Sequence, residues 1–180
     1  MTENPSFRPL KEHNKELNNI TIESITQALL ILMDGRDYNS ITISEICKKA
    51  GVSRNAFYKN FGTKHNVLKK IVFNFNRNLL KDLGNPFNSK KINLAWYINF
   101  FEQVKQHCNM FKMLIKSKFE NVYLQMVNEI LTANKNIDDS IKFKRLIWNG
   151  AIQNVTLDWI KRDMQGGVDQ VAHFCYEILN

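Results

Sequence analysis

Apolar residues in this chain recur at spacings of three and four, the period of a helix face packed on one side. Ile22, Ile25, Leu29 and Leu32 mark such a stripe and predict a helix over residues 20 to 34. A short helix is predicted from Ser44 to Ala50. Thr42 with Glu45 three residues on forms a capping box at its start, in which each side chain satisfies a backbone N–H of the other residue, and Gly51 breaks it. Ser53 is a good N-cap for a third helix running to about Asn60. Thr63 is a good N-cap for a fourth, with Val67, Leu68, Ile71, Val72, Phe75 and Leu79 along one face.

Gly84-Asn85-Pro86 joins a helix-ending glycine to a residue that cannot continue a helix, and is the best internal boundary. Beyond it amphipathic patterns predict helices near residues 91 to 107, 109 to 116, 118 to 132, 140 to 163 and 167 to 179, with turns at Asn134 to Asp139 and Gly166-Gly167. The prolines fall at 5, 9 and 86, so none interrupts this second half. The reading is an all-α protein. Residues 1–17 form a flexible N-terminal arm, 18–64 a three-helix head, 65–83 a connecting helix and 84–180 a helical bundle.

Two short helices joined by a three-residue turn that begins with glycine form a helix-turn-helix, whose second helix enters the DNA major groove. Charge sharpens this reading. Lys and Arg outnumber Asp and Glu by 25 to 17 over 180 residues, a net +8. From Arg36 to Arg77 nine basic residues face only Asp37 and Glu45, so +7 of that excess lies in under a quarter of the chain. A basic block beside a helix-turn-helix is an electrostatic footprint for phosphates.

Other chemistry finds little support. The three cysteines, Cys47, Cys108 and Cys175, are scattered and odd in number, which fits a reduced cytoplasm better than a disulfide framework. No Cys/His pair has zinc spacing, and there is no Ser/His/Asp order, strand-borne phosphate loop or carboxylate dyad. No enzyme, metal or cofactor is expected. The polar start does not read as a signal peptide, and the longest apolar run, Ala28 to Met33, is too short to span a membrane.

The run ITISEICKKAGVSRNAFYKNFGTKHNVL from Ile41 resembles the DNA-binding signature of the TetR family of bacterial transcriptional regulators. Thr42, Ile46, Ala50-Gly51-Val52-Ser53, Phe57-Tyr58, Phe61, Lys64 and Leu68 carry the resemblance, with Ile25 and Ala28 matching the first helix. It covers roughly residues 20 to 70. Cys47 stands where a small Ala is usual, and His65 where an acidic residue is common.

Within the head, Ile43, Ile46, Ala50, Val52, Phe57, Phe61 and Leu68 are expected as core. Arg54, Asn55 and Ala56 fall in the first turn of the recognition helix, where Arg pairs with guanine, Asn with adenine and Ala touches a thymine methyl. Tyr58, Lys59 and Lys64 are expected as phosphate ligands, and Thr42 as both cap and phosphate contact.

One recognition helix buries too little surface for tight specific binding, so a homodimer on a palindromic double-stranded operator is expected. Leu146, Gly150, Ala151, Val155 and Trp159, with Val171, Cys175 and Ile178, are the candidate interface, and the family resemblance also implies pairing of the last two helices. The resemblance further implies an effector pocket in the second domain. Trp96, Tyr97, Phe100, Phe111, Phe119, Tyr123 and Met126 are its candidate walls, with Glu102, Glu120 or Gln153 as a polar group, suiting a small apolar or flat cationic molecule. The function so read is a ligand-responsive homodimeric repressor; the alternative is an effector-independent architectural or division-control protein on the same fold.

Overall fold

The computed structural model describes residues 8–84, 86–88, 92–134 and 136–179. Among these, all regular structure is helical, and the chain forms two compact units, residues 1–71 and 72–180.

The first unit begins with α1 (Arg8–Gly35). It starts well before the expected residue 20, so the described part of the supposed arm is helix. Pro9 does not oppose this, because an N–H missing from the first turn has no intrahelical partner to lose. A 3-10 turn at Tyr38–Ser40 follows, capped by Asp37, whose carboxylate accepts the Asn39 N–H at 2.8 Å. Then come α2 (Ile43–Ala50) and α3 (Arg54–Asn60). The core holds Ile25, Leu29, Ile46, Phe57 and Leu68, each without exposed surface. Ile43, Ala50 and Val52, expected alongside them, are only half-buried.

Helix α4 (Lys64–Leu83) carries Val67 and Leu68 in the first unit and Val72, Asn76 and Leu79 in the second. The division therefore falls inside this helix, not at the break after Gly84. The second unit continues with α5 (Leu94–Gln106), α6 (Cys108–Lys116), α7 (Glu120–Leu131), α8 (Asp139–Lys161) and α9 (Gly167–Leu179). Asn93 sets the start of α5 by accepting the Trp96 N–H at 2.8 Å, and Asp138 sets that of α8 by accepting the Ser140 N–H at 2.9 Å. Helix α9 lies along α5, while α6 and α7 pack on α8. Tyr97, Phe101, Phe111, Leu114 and Ile160 fill the interior, and the Trp148 indole N–H donates to the Tyr97 hydroxyl at 2.8 Å.

Candidate nucleic-acid interface

The turn between α2 and α3 is built by three local devices. Gly51 sits at φ 67°, a left-handed conformation that costs an L side chain energy, and its N–H caps the end of α2. The Val52 N–H returns to the Cys47 carbonyl at 3.1 Å. Ser53 then opens α3, its hydroxyl accepting the Ala56 N–H at 3.1 Å. Phe57 anchors α3 from beneath, meeting Tyr58 edge-on at 5.7 Å and lying 6.1 Å from Phe61. Cys47 is 4% exposed and packs within the core, where burial pushes its thiol above its ordinary pKa.

That anchoring turns Arg54, Asn55, Tyr58 and Lys59 outward as one exposed face, with Ala56 half-buried beside them. Arg54 Nη2 lies 3.4 Å from the Tyr58 hydroxyl, with its guanidinium carbon 6.0 Å from the ring centre. Both distances are long for a firm bond, so the guanidinium is steered but not locked. The first four of these residues thus share a surface that could reach base edges and phosphates.

Thr42 and Lys64 are differently placed. The Thr42 hydroxyl accepts the Glu45 N–H at 3.2 Å and donates to the Glu45 carboxylate at 2.8 Å, while its backbone N–H donates to the same carboxylate at 2.8 Å. Arg36 closes the group with a 2.7 Å bond to Glu45. The Arg36 bond, reinforced by Thr42, draws the Glu45 carboxyl down to about 2. Lys64 points its ammonium at backbone carbonyls, 2.6 Å from Tyr38, 2.7 Å from Ile41 and 3.4 Å from Asn39, and stands 4.3 Å above the Tyr38 ring. Its three N–H donors therefore face the loop between α1 and α2. Partial burial lowers its pKa, opposed by Asp37 and Glu45.

The candidate interface residues of the second unit divide. Trp159 and Cys175 are each only 2% exposed. Trp159 packs edge-on against Phe101 at 5.5 Å and donates to the Gln165 carbonyl at 3.1 Å, so both residues serve the subunit's own core. Burial pushes the Cys175 thiol up to about 11. Leu146, Gly150, Ala151, Val155 and Val171 are half-buried, and Ile178 is exposed. Sequence reasoning passed over Phe143, Ile147 (70% exposed) and Phe174 (61%), the larger apolar side chains on this surface. Val155, Val171 and Phe174 border an open groove of about 490 Å³ between α8 and α9.

Of the seven candidate pocket residues, Trp96, Phe100 and Tyr123 line a cavity of about 40 Å³ inside the second unit. Tyr97, Phe111 and Phe119 are buried but do not line it, and Met126 is half-buried on α7, also outside it. Gln153 lines the cavity, whereas Glu102 and Glu120 do not. Two polar groups there escaped notice in the sequence. Asn76 accepts the Tyr123 hydroxyl at 3.0 Å, and Asn149 accepts Gln153 Nε2 at 3.1 Å while donating to Asn128 at 2.8 Å. The one available signal was Asn76 itself, an amide inside the apolar stripe between Val72 and Leu79.

A basic helix-turn-helix head on an otherwise all-α chain is the architecture of DNA-binding transcriptional regulators. The family model described as bacterial regulatory proteins, tetR family, matches residues 25–71. The chain is also similar to the uncharacterized HTH-type transcriptional regulator YxbF of Bacillus subtilis (strain 168), with 23% identity over 175 residues, covering 87% of this chain and 44% of the relative. The match to the tetR family covers the helix-turn-helix head, where Gly51, Ser53, Phe57, Tyr58 and Lys64 stand. The chain spans less than half the length of that curated relative. Among the described residues, no helix is long and apolar enough to cross a membrane.

Proposed function

We propose that this chain is a sequence-specific DNA-binding transcriptional regulator, acting as a homodimeric repressor that a small molecule releases from a palindromic operator. The observation that carries the reading is the outward face of α3, where Arg54, Asn55, Tyr58 and Lys59 stand exposed over the fully buried Phe57. Arg54 and Asn55 read bases from the first turn, while Tyr58 and Lys59 hold phosphates. Dimerisation through α8 and α9 is supported by Phe143, Ile147, Phe174 and Ile178, large apolar side chains exposed on those two helices. Release by a ligand is supported by the cavity, whose wall includes Asn76, Leu79 and Leu83 of the helix that begins at Lys64. A ligand with greater affinity for a conformation in which the two recognition helices no longer match successive grooves weakens DNA binding by that difference in affinity.

Selection from a pool of random duplex DNA tests this reading. The expected product is a palindrome with half-site centres about one helical turn, roughly 34–36 Å, apart or a multiple of it. Recovery of unrelated sequences bound with equal affinity at physiological salt would overturn it and favour an architectural role.

A further inference from the structure

The cavity of the second unit carries a specific chemical pattern. Asn76 is 3% exposed and Gln153 is 7% exposed, yet Asn76 Nδ2 and Gln153 Oε1 have no hydrogen-bond partner. Both residues line the same cavity, so one donor and one acceptor remain for an occupant. The rest of the wall is mainly apolar, with Leu79, Leu80 and Leu83 of α4 and the Trp96–Phe100 pair, whose rings stack at 5.3 Å with 10° between planes. None of the described lining residues carries a charge. An ionic occupant would lose its hydration there without gaining a counter-ion, which is prohibitively costly.

We infer that this cavity takes a neutral, flat, mainly apolar molecule that presents a hydrogen-bond acceptor to the Asn76 amide and a donor to the Gln153 carbonyl. The inference rests on the reading of the second unit as a ligand sensor, and it excludes the cationic effector left open by the aromatic pattern alone. About 40 Å³ is less than the body of a bicyclic molecule, so binding moves part of the wall. Trp96 is held in that wall by ring contacts to Tyr97, Phe100 and Trp148 and by a long 3.4 Å bond from its indole N–H to the Gly84 carbonyl, a weak tether to the end of α4.

The test is a probe series read by quenching of tryptophan emission, since Trp96 and Trp148 both line the site. The neutral lactams pyridone, quinolinone and phenanthridinone each offer an adjacent donor and acceptor. Naphthalene, N-methylquinolinium and naphthoate serve as non-bonding, cationic and anionic counterparts. At least one lactam binds saturably, about tenfold or more tighter than all three counterparts, as expected when buried polar groups gain partners. Asn76→Leu and Gln153→Met each reduce that preference over naphthalene without weakening naphthalene itself. No lactam binding up to solubility, or a charged counterpart binding as tightly, overturns the inference in the unaltered protein, whatever the variants do to folding. Preference retained in both folded variants also overturns it. Affinity for the selected DNA, measured with and without each probe, separates the two claims. Lactam binding without release of DNA sinks the ligand-response reading alone, while release by a charged probe sinks the lactam chemistry alone.

Discussion

Replacing Lys64 with Met separates two roles that a lysine at the start of a helix in a basic head can play. Its ammonium makes short bonds to the Tyr38 and Ile41 carbonyls, at 2.6 and 2.7 Å, and lies 4.3 Å from the Tyr38 ring. A hydrogen bond to a charged group contributes about 1.5–3 kcal/mol net when desolvated, and a cation over a ring about 0.5–1 kcal/mol at an exposed site. Tyr38 keeps a second partner, because its carbonyl also accepts the Ile41 N–H at 3.2 Å. Lys64 is half-buried, so water replaces part of what is lost at Ile41. Lys64→Met therefore costs the head about 2 kcal/mol. By the relation of 1.36 kcal/mol per factor of ten, that is about a thirtyfold rise in opening. Amide hydrogen exchange over α2 and α3 in the full chain reads it directly, because exchange follows local opening. The slope of log affinity against log salt on the selected DNA should hold steady, since no phosphate contact is removed. Lys59→Met is the control, and its slope should fall by about 0.9 with exchange unchanged. If Lys64→Met lowers the slope by that amount and leaves exchange alone, Lys64 is a phosphate ligand and the strut role is wrong.

On the reading surface, Arg54→Ala should relax preference at one base position by about 1–3 kcal/mol in a repeated DNA selection, whereas Tyr58→Phe should weaken all sequences alike; the reverse pattern would dismiss the proposed docking. In the second unit, Ile147→Asp or Phe174→Asp should yield monomers in sedimentation velocity with little change in melting, while Trp159→Ala should lower stability by about 3–5 kcal/mol through its buried contacts. Monomers from the tryptophan change alone, with both aspartate variants still dimeric, would move the interface elsewhere. At acid pH, Glu45 titrates near 2 in the folded chain against an ordinary value of 4.5. A folded pKa below the unfolded one contributes stability that is complete above about 4.5 and lost as pH falls toward 2. Glu45→Gln should flatten that stretch of an acid titration followed by exchange in α2; an unchanged profile would show that the Arg36–Thr42 group does not hold the carboxylate.

The head was legible in the sequence because its devices are local. The Thr42–Glu45 box, the Gly51 turn and the Ser53 cap each join residues three to five positions apart, and the structure closes each with the expected bonds. Lys64 was not legible in this way. Its acceptors are backbone carbonyls 23 to 26 residues upstream, and a carbonyl leaves no residue-type signature. The start of α1 escaped for another reason: polar residues and Pro9 suggested an arm, yet neither forbids helix in a first turn.

The second unit shows how far periodicity goes before it becomes ambiguous. Stripes on α8 and α9 correctly marked apolar helices, but a stripe does not say whether its partner is the same subunit or another. Trp159 and Cys175 fell to the subunit's own core, while Ile147 and Phe174, outside the small-residue pattern, remain exposed. The aromatic cluster was ambiguous in the same sense, since close packing and cavity walls both recruit Trp, Phe and Tyr. Polar residues are the better discriminator inside such a cluster. A buried aromatic needs no explanation, whereas a buried amide with a vacant donor or acceptor does, because burying it opposes folding unless a partner arrives. Asn76 and Gln153 therefore say more about a ligand than the ten aromatic and Met residues between 94 and 126. On the proposed ligand response, the position of Asn76 adds a consequence: a molecule that satisfies its amide would act on α4, the helix whose first residue, Lys64, bonds to the Tyr38 carbonyl.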